Sequence, residues 1–284
     1  MRKNIIFFLI IFVFVVVTPF FVATNQTPQL EETFVVYNTA TQKTEKVSVD
    51  DYIIREVCAK ISPATHAQAV KAQIVVTFTN ALRETQLSQM PYNFSWDFPE
   101  TKDKDFYNLV KTLLKDVKSQ TLNFENQLAL CAYHKMSNGK TNTAQSVWGE
   151  DVPYLTSVES EGDLLAGERS YSLGLTKEMV LEKLKLTPET DEVTVDYNEF
   201  GYAKTVTLFG SDISAEEFRK LFSVKSSTFT IELISENLII SGVGDGHGVG
   251  MSLYGADFLA RQGYDYTQIL SHYYPNCQIK KDGI

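Results

Sequence analysis

The chain has 284 residues, a formal net charge of −9 and 44% hydrophobic residues, enough for one large domain or two fused smaller ones with a core of their own. That acidic balance argues against a nucleic-acid partner and against any anionic polymer held by bulk electrostatics, so such a ligand has to be read locally. Cys58, Cys131 and Cys277 allow at most one intramolecular disulfide, and buried free thiols are the expectation.

Ile5–Val17 is an unbroken apolar run, and Phe20–Ala23 extends it past Thr18 and Pro19 to about the twenty residues that cross a bilayer. Arg2 and Lys3 precede it, and a positive flank stays in the cytoplasm. The sequence therefore predicts a transmembrane anchor over residues 1–23, a polar linker over 24–33 and an extracytoplasmic domain over 34–279. That is a single-pass membrane protein with a cytoplasmic N-terminus. A cleaved signal peptide is the competing reading, which Phe21-Val22-Ala23-Thr24 suits poorly.

Val35–Tyr37 and Lys46–Val49 flank a polar turn and predict a hairpin, leading through Asp50-Asp51 into a helix that ends near Ile61, before Pro63. A second, largely buried helix is predicted over 67–84, a surface loop over 88–104, and an amphipathic helix carrying Phe106, Leu109, Val110, Leu113, Leu114 and Val117. Gln127–Tyr133 suits a buried strand that delivers a turn at 134–139. Thr176 starts a further helix. Hairpins follow over 193–208 and 228–242, with Ser214 and Glu217 as a capping box between them, and helices close the chain near 252–262 and 265–273. Hairpins mixed with helices, without regular βαβ alternation, predict an α+β fold in one large or two fused subdomains.

The most unusual stretch is SGVGDGHGVGMSLYGA at 241–256, where glycines surround His247 between a strand and a helix. It lacks the Gly-Lys-Ser/Thr end of a phosphate loop, and His247 stands where a dinucleotide fingerprint needs glycine. What remains is a backbone that turns or approaches closely and carries an imidazole.

GHGVGMSLYGA, together with VDDYI at 49–53, AVKAQ at 69–73, AYH at 132–134, SNGKT at 137–141, VWGEDVPYLTSV at 147–158, FRKLFSVKSSTF at 218–229 and QILSHYY at 268–274, resembles the stage II sporulation protein D and amidase-enhancer family of spore-forming bacteria. The resemblance implies a membrane protein that acts on peptidoglycan during engulfment, as a lytic transglycosylase or as an enhancer of wall amidases. Partners would then be peptidoglycan glycan strands and a wall amidase or other sporulation membrane proteins.

Lytic cleavage needs a carboxyl that protonates the glycosidic oxygen and then serves as base. The resemblance places that Glu where this chain has Lys60, and places an arginine where it has Phe78. Glu56, one helical turn before Lys60, is the candidate substitute. Against it, Glu followed at i+4 by Lys is the favoured helix ion pair, which would hold Glu56 ionised. Loops near His134, Ser137, His247 and Tyr254 are expected to line a glycan groove, although Tyr133, Trp148 and Tyr254 could equally fill a core and Ser137 and Asn138 could serve a turn. Residues 88–107 lack the Cys/His cluster of some relatives, so neither metal nor other cofactor is predicted. Three functions follow: a member that binds glycan or assists a hydrolase without cutting, an active lytic transglycosylase using Glu56 or another carboxylate, or a structural protein of the septal membrane.

Overall fold

Ser48 determines where the first helix begins. Its hydroxyl accepts the Asp51 amide at 3.1 Å, Asp50 and Asp51 put negative charge in the first turn, and helix α1 runs Val49–Lys60. The computed structural model in which this is seen describes residues 33–38, 41–87, 94–96 and 103–281. The hairpin before α1 is β1 (Thr33–Asn38) paired with β2 (Lys43–Ser48), as predicted. Helix α2 (Ala67–Leu87) holds its β-branched Ile74, Val75, Val76 and Thr79 because tertiary burial outweighs their modest helix propensity. Thr79 donates to the Val75 carbonyl at 2.7 Å and accepts the Leu122 amide at 2.9 Å, so the helix also pins a strand.

Two predicted segments come out differently. The stretch read as a surface loop contains β3 (Phe94–Trp96), which pairs in parallel with β1. After α3 (Lys104–Val117) comes β4 (Gln120–Phe124), which the sequence reading did not mark, and the strand predicted over 127–133 divides into β5 (Gln127–Leu128) and β6 (Tyr133–His134). Between them, Leu130 and Cys131 give their amides to the Tyr154 hydroxyl and the Asn80 side chain, at 2.7 and 3.0 Å, rather than to a ladder. A short helix α4 (Ala144–Trp148) and a 3-10 turn, Glu161–Leu165, follow.

The next elements are β7 (Ser170–Thr176), α5 (Lys177–Leu184), β8 (Val193–Tyr197), β9 (Ala203–Leu208), β10 (Ser211–Ser214), α6 (Ala215–Leu221), β11 (Phe229–Ile234) and β12 (Asn237–Val243). The predicted hairpins are present as β8–β9 and β11–β12, and Thr176 and Ser214 cap their helices. The chain then returns through β13 (Met251–Ser252) and helices α7 (Leu253–Arg261) and α8 (Tyr266–Tyr273) to β14 (Gln278–Lys281), which pairs with β4. The class is α+β.

Two separate cores result. The first gathers Ile53, Val57, Val75, Val110, Leu122, Met251 and Tyr273 from α1 to α3, β4, β13 and α8. The second gathers Val180, Val206, Phe218, Phe229 and Ile240 from the β7–β12 segment. The glycine-rich loop runs between them, bridged to Met136 and Asn142 on one side and to Ser226 on the other. The cysteines are free thiols, Cys131 buried and the other two partly so.

The predicted single-pass membrane topology is corrected: among the described residues no helix is long and apolar enough to cross a membrane. The longest, α2, has 21 residues but contains Lys71, Arg83 and Glu84, charges that are costly in a bilayer core. The anchor predicted over residues 1–23 lies outside the described residues, as does the predicted linker apart from Thr33, which opens β1.

Candidate functional site

Strand β6 is two residues long, and alternation sends consecutive side chains to opposite faces. Tyr133 faces α1 and His134 faces the glycine-rich loop, so the predicted site residues fall into two groups on either side of one strand.

On the α1 side, the Tyr133 hydroxyl donates to the Glu56 carboxylate. Lys60 Nζ lies 3.8 Å from Glu56 Oε1, with side chains 43% and 16% exposed respectively. At that distance the ammonium is beyond direct hydrogen-bond reach. Burial pushes the Glu56 carboxyl above its ordinary range, outweighing Lys60 and Tyr133, which pull it down. The ion pair expected to hold Glu56 ionised is thus the weaker influence. Burial and the Glu56 charge together raise the phenol of Tyr133 well above the usual value. Phe78, where the resemblance leads one to expect arginine, is buried in the first core.

On the loop side, β6 pairs in parallel with β13, matching Ser252 to His134, and the loop that enters β13 is held close. Gly250 has φ +72°, and a Cβ there would lie 1.9 Å from the Ala132 carbonyl oxygen; Gly248, at φ +81°, would strike the Tyr202 ring at 2.5 Å. This close approach places two imidazoles on one residue. His134 Nδ1 donates to the Val249 carbonyl at 3.2 Å, and His247 Nδ1 accepts the Val249 amide at 3.0 Å. Their ring centroids are 6.0 Å apart, and Trp148 meets His247 edge-on at 5.5 Å. Burial lowers both imidazoles, His134 to about 4 and His247 to about 3, the second further depressed by its neighbour. Both are neutral at ordinary pH.

Ser137 turns away from this pair. It is buried, and Asp163 on the 3-10 turn accepts its hydroxyl, its amide at 2.8 Å, and the Ser252 hydroxyl at 2.8 Å. Ser137 is therefore a structural tie between the turn at 137–139 and the start of α7. Tyr254 is 40% exposed on α7, with its amide on the Lys135 carbonyl at 3.1 Å. Asp163 and Asn142 were not singled out by sequence reasoning, since an acidic residue in VESEGDLL and an Asn in KTNT carry no spacing signal; both are almost fully buried. Among the described residues no group of three His, Cys, Asp or Glu side chains is arranged to hold a metal.

The comparisons with known proteins agree with the motifs. The family model described as Stage II sporulation protein matches residues 37–147. Stage II sporulation protein D of Bacillus subtilis (strain 168) is 26% identical, over 87% of this chain and 78% of that protein. Its counterpart in Bacillus amyloliquefaciens is 25% identical, over 89% of this chain and 81% of its own. The chain is thus similar, over most of its length, to the stage II sporulation protein D and amidase-enhancer proteins. The protein named Amidase enhancer in Bacillus subtilis (strain 168) is 22% identical, over 75% of this chain and 38% of that relative. Of the site residues, Glu56, Lys60, His134 and Ser137 lie inside the segment matched by the sporulation-family model, and His247 and Tyr254 lie beyond it.

Proposed function

We propose that this chain is a peptidoglycan-associated member of the family that binds glycan strands or assists a wall hydrolase without cutting, through one domain over residues 34–279. The observation that carries the reading is Lys60: the resemblance puts the cleaving acid there, and the residue is a half-exposed ammonium at the end of α1. An ammonium with a reference pKa of about 10.4 is a poor proton donor to an ether oxygen. The cluster beyond β6 suits binding, with two neutral imidazoles beside a half-buried indole on which sugar rings can stack. The name of the amidase-enhancer relative supports a wall amidase as partner. The test mixes purified chain with insoluble peptidoglycan and reads both sedimentation and soluble products. Co-sedimentation without anhydro-muropeptides is expected, and a chain that stays in the supernatant refutes the binding reading.

One observation favours a second reading, an active lytic transglycosylase. Glu56 is a carboxyl raised by burial, which is the property a general acid needs near neutral pH. In that case anhydro-muropeptides appear and vanish in Glu56→Gln. Their absence from the unmodified chain removes this reading.

A further inference from the structure

Four buried side-chain polar atoms among the described residues have no hydrogen-bond partner, and two of them, His134 Nε2 and Asn142 Nδ2, flank Val249. Their polarity is fixed by the bonds around them. His134 donates through Nδ1 to the Val249 carbonyl, which leaves Nε2 as a bare acceptor. Asn142 receives the Thr143 amide at 2.9 Å and the Asn198 amide group at 2.8 Å on Oδ1, which fixes the amide orientation and leaves Nδ2 as an unused donor. His247 accepts through Nδ1, so its hydrogen sits on Nε2 and adds a second donor. Orphaned groups of this kind are costly, at about 1–3 kcal/mol each, and call for a partner.

We propose that the His134–Asn142–His247 cluster beside Trp148 is a subsite for an uncharged acetamido group of a hexosamine: its N–H donates to His134 Nε2 and its carbonyl accepts from Asn142 Nδ2 or His247 Nε2. The inference rests on the glycan-binding reading above and adds which chemical group the cluster recognises. A secondary amide carries one donor and one acceptor on opposite edges of one plane, the complement in kind of what the cluster leaves unused on either side of Val249. A carboxylate or phosphate supplies no hydrogen for His134 Nε2, and an ammonium supplies no acceptor for Asn142. Trp148 offers an apolar edge for the methyl group or the sugar face. The groups whose charges act on His247 are Glu216, Arg219 and Lys220 of α6, together with His134, and the ring stays neutral among them.

The test measures sedimentation of the full chain with three polymers: native peptidoglycan, the same material chemically de-N-acetylated, and that material re-N-acetylated. We expect affinity to fall at least about tenfold on de-N-acetylation, as a lost pair of buried hydrogen bonds would cause, and to return on re-acetylation. Bulk charge predicts the opposite, because the exposed amines would attract a chain of net charge −9. Asn142→Asp, which turns the donor into an acceptor at constant shape, should abolish the preference. The three-polymer comparison needs no variant, so a variant that does not fold leaves it decisive. Equal affinity for all three polymers overturns the acetamido assignment and leaves glycan binding intact, whereas no sedimentation with any of them overturns both.

Discussion

Burial acts on the two faces of β6 in opposite directions, and on both it favours the uncharged form. On the α1 face it raises Glu56 toward its neutral acid, and on the loop face it lowers His134 and His247 toward their neutral bases. The faces differ in what opposes burial. Glu56 has Lys60 and the Tyr133 hydroxyl pulling it back toward the carboxylate, while His247 has a second imidazole that depresses it further. The first face is a carboxyl raised by burial against two partners that favour its ionised form. The second is locked neutral and is suited to hydrogen-bond recognition.

The strongest way to break the comparison is to remove one face. Gly250→Ala puts a methyl on a left-handed backbone, at 1.9 Å from the Ala132 oxygen. It should destabilise the chain by about 3 kcal/mol or more, read as a lowered melting temperature. An unchanged melting temperature would mean that β13 is not held against residue 132 as described.

Stability against pH sharpens it next. The histidines are depressed from an ordinary value of about 6.5 to about 4 and about 3, so the unfolded chain binds more protons between those limits. Their contribution is complete above the unfolded value and is lost as pH falls through that window. His134→Gln should flatten this acid-side slope in a melting-temperature series. If the slope is the same in the variant, His134 is not a buried neutral base.

Glu56 gives the mirror image with a smaller amplitude. Its folded value is raised, so its contribution is present below the unfolded value and is lost as pH rises through the folded one. The melting temperature of Glu56→Gln should therefore gain on the unmodified chain as pH increases. A difference that shrinks with rising pH would show that the pair with Lys60 dominates, as the sequence spacing alone suggested.

The smallest effect expected is that of Lys60→Ala, since a half-exposed pair at 3.8 Å contributes about 0.5 kcal/mol or less. A melting temperature within about 2 °C of the unmodified chain is the expected result. A larger drop would place that ammonium in a tighter role than its distance suggests.

Local signals were read well where one element determined them. Asp50-Asp51, Thr176 and Ser214 announced their helices, and the apolar stretches within 193–208 and 228–242 announced their hairpins. What the sequence could not convey depends on partners far along the chain. Strand β4 is defined by β14, and the strand over 127–133 is broken by bonds from Asn80 and Tyr154. Likewise, the motifs brought His134 and His247 into one list, but only the geometry around Val249 shows them paired and Ser137 turned to Asp163 instead. The i, i+4 rule described Glu56 and Lys60 as an isolated helix would have them. Burial of the carboxyl in the folded chain changed the balance, against both Lys60 and Tyr133.

The parallel pairing of β6 with β13 joins Tyr133 to Met251 and so encloses the whole second core within one chain loop. Closing so long a loop has a high entropic cost, and non-local pairings of this kind form slowly. Collapse of the enclosed unit shortens the span that the returning chain has to close, which favours late pairing of the two imidazoles. Near-ultraviolet signals from Trp148 against His247 would then mark the completion of folding, later than the helical signal of α1 to α3.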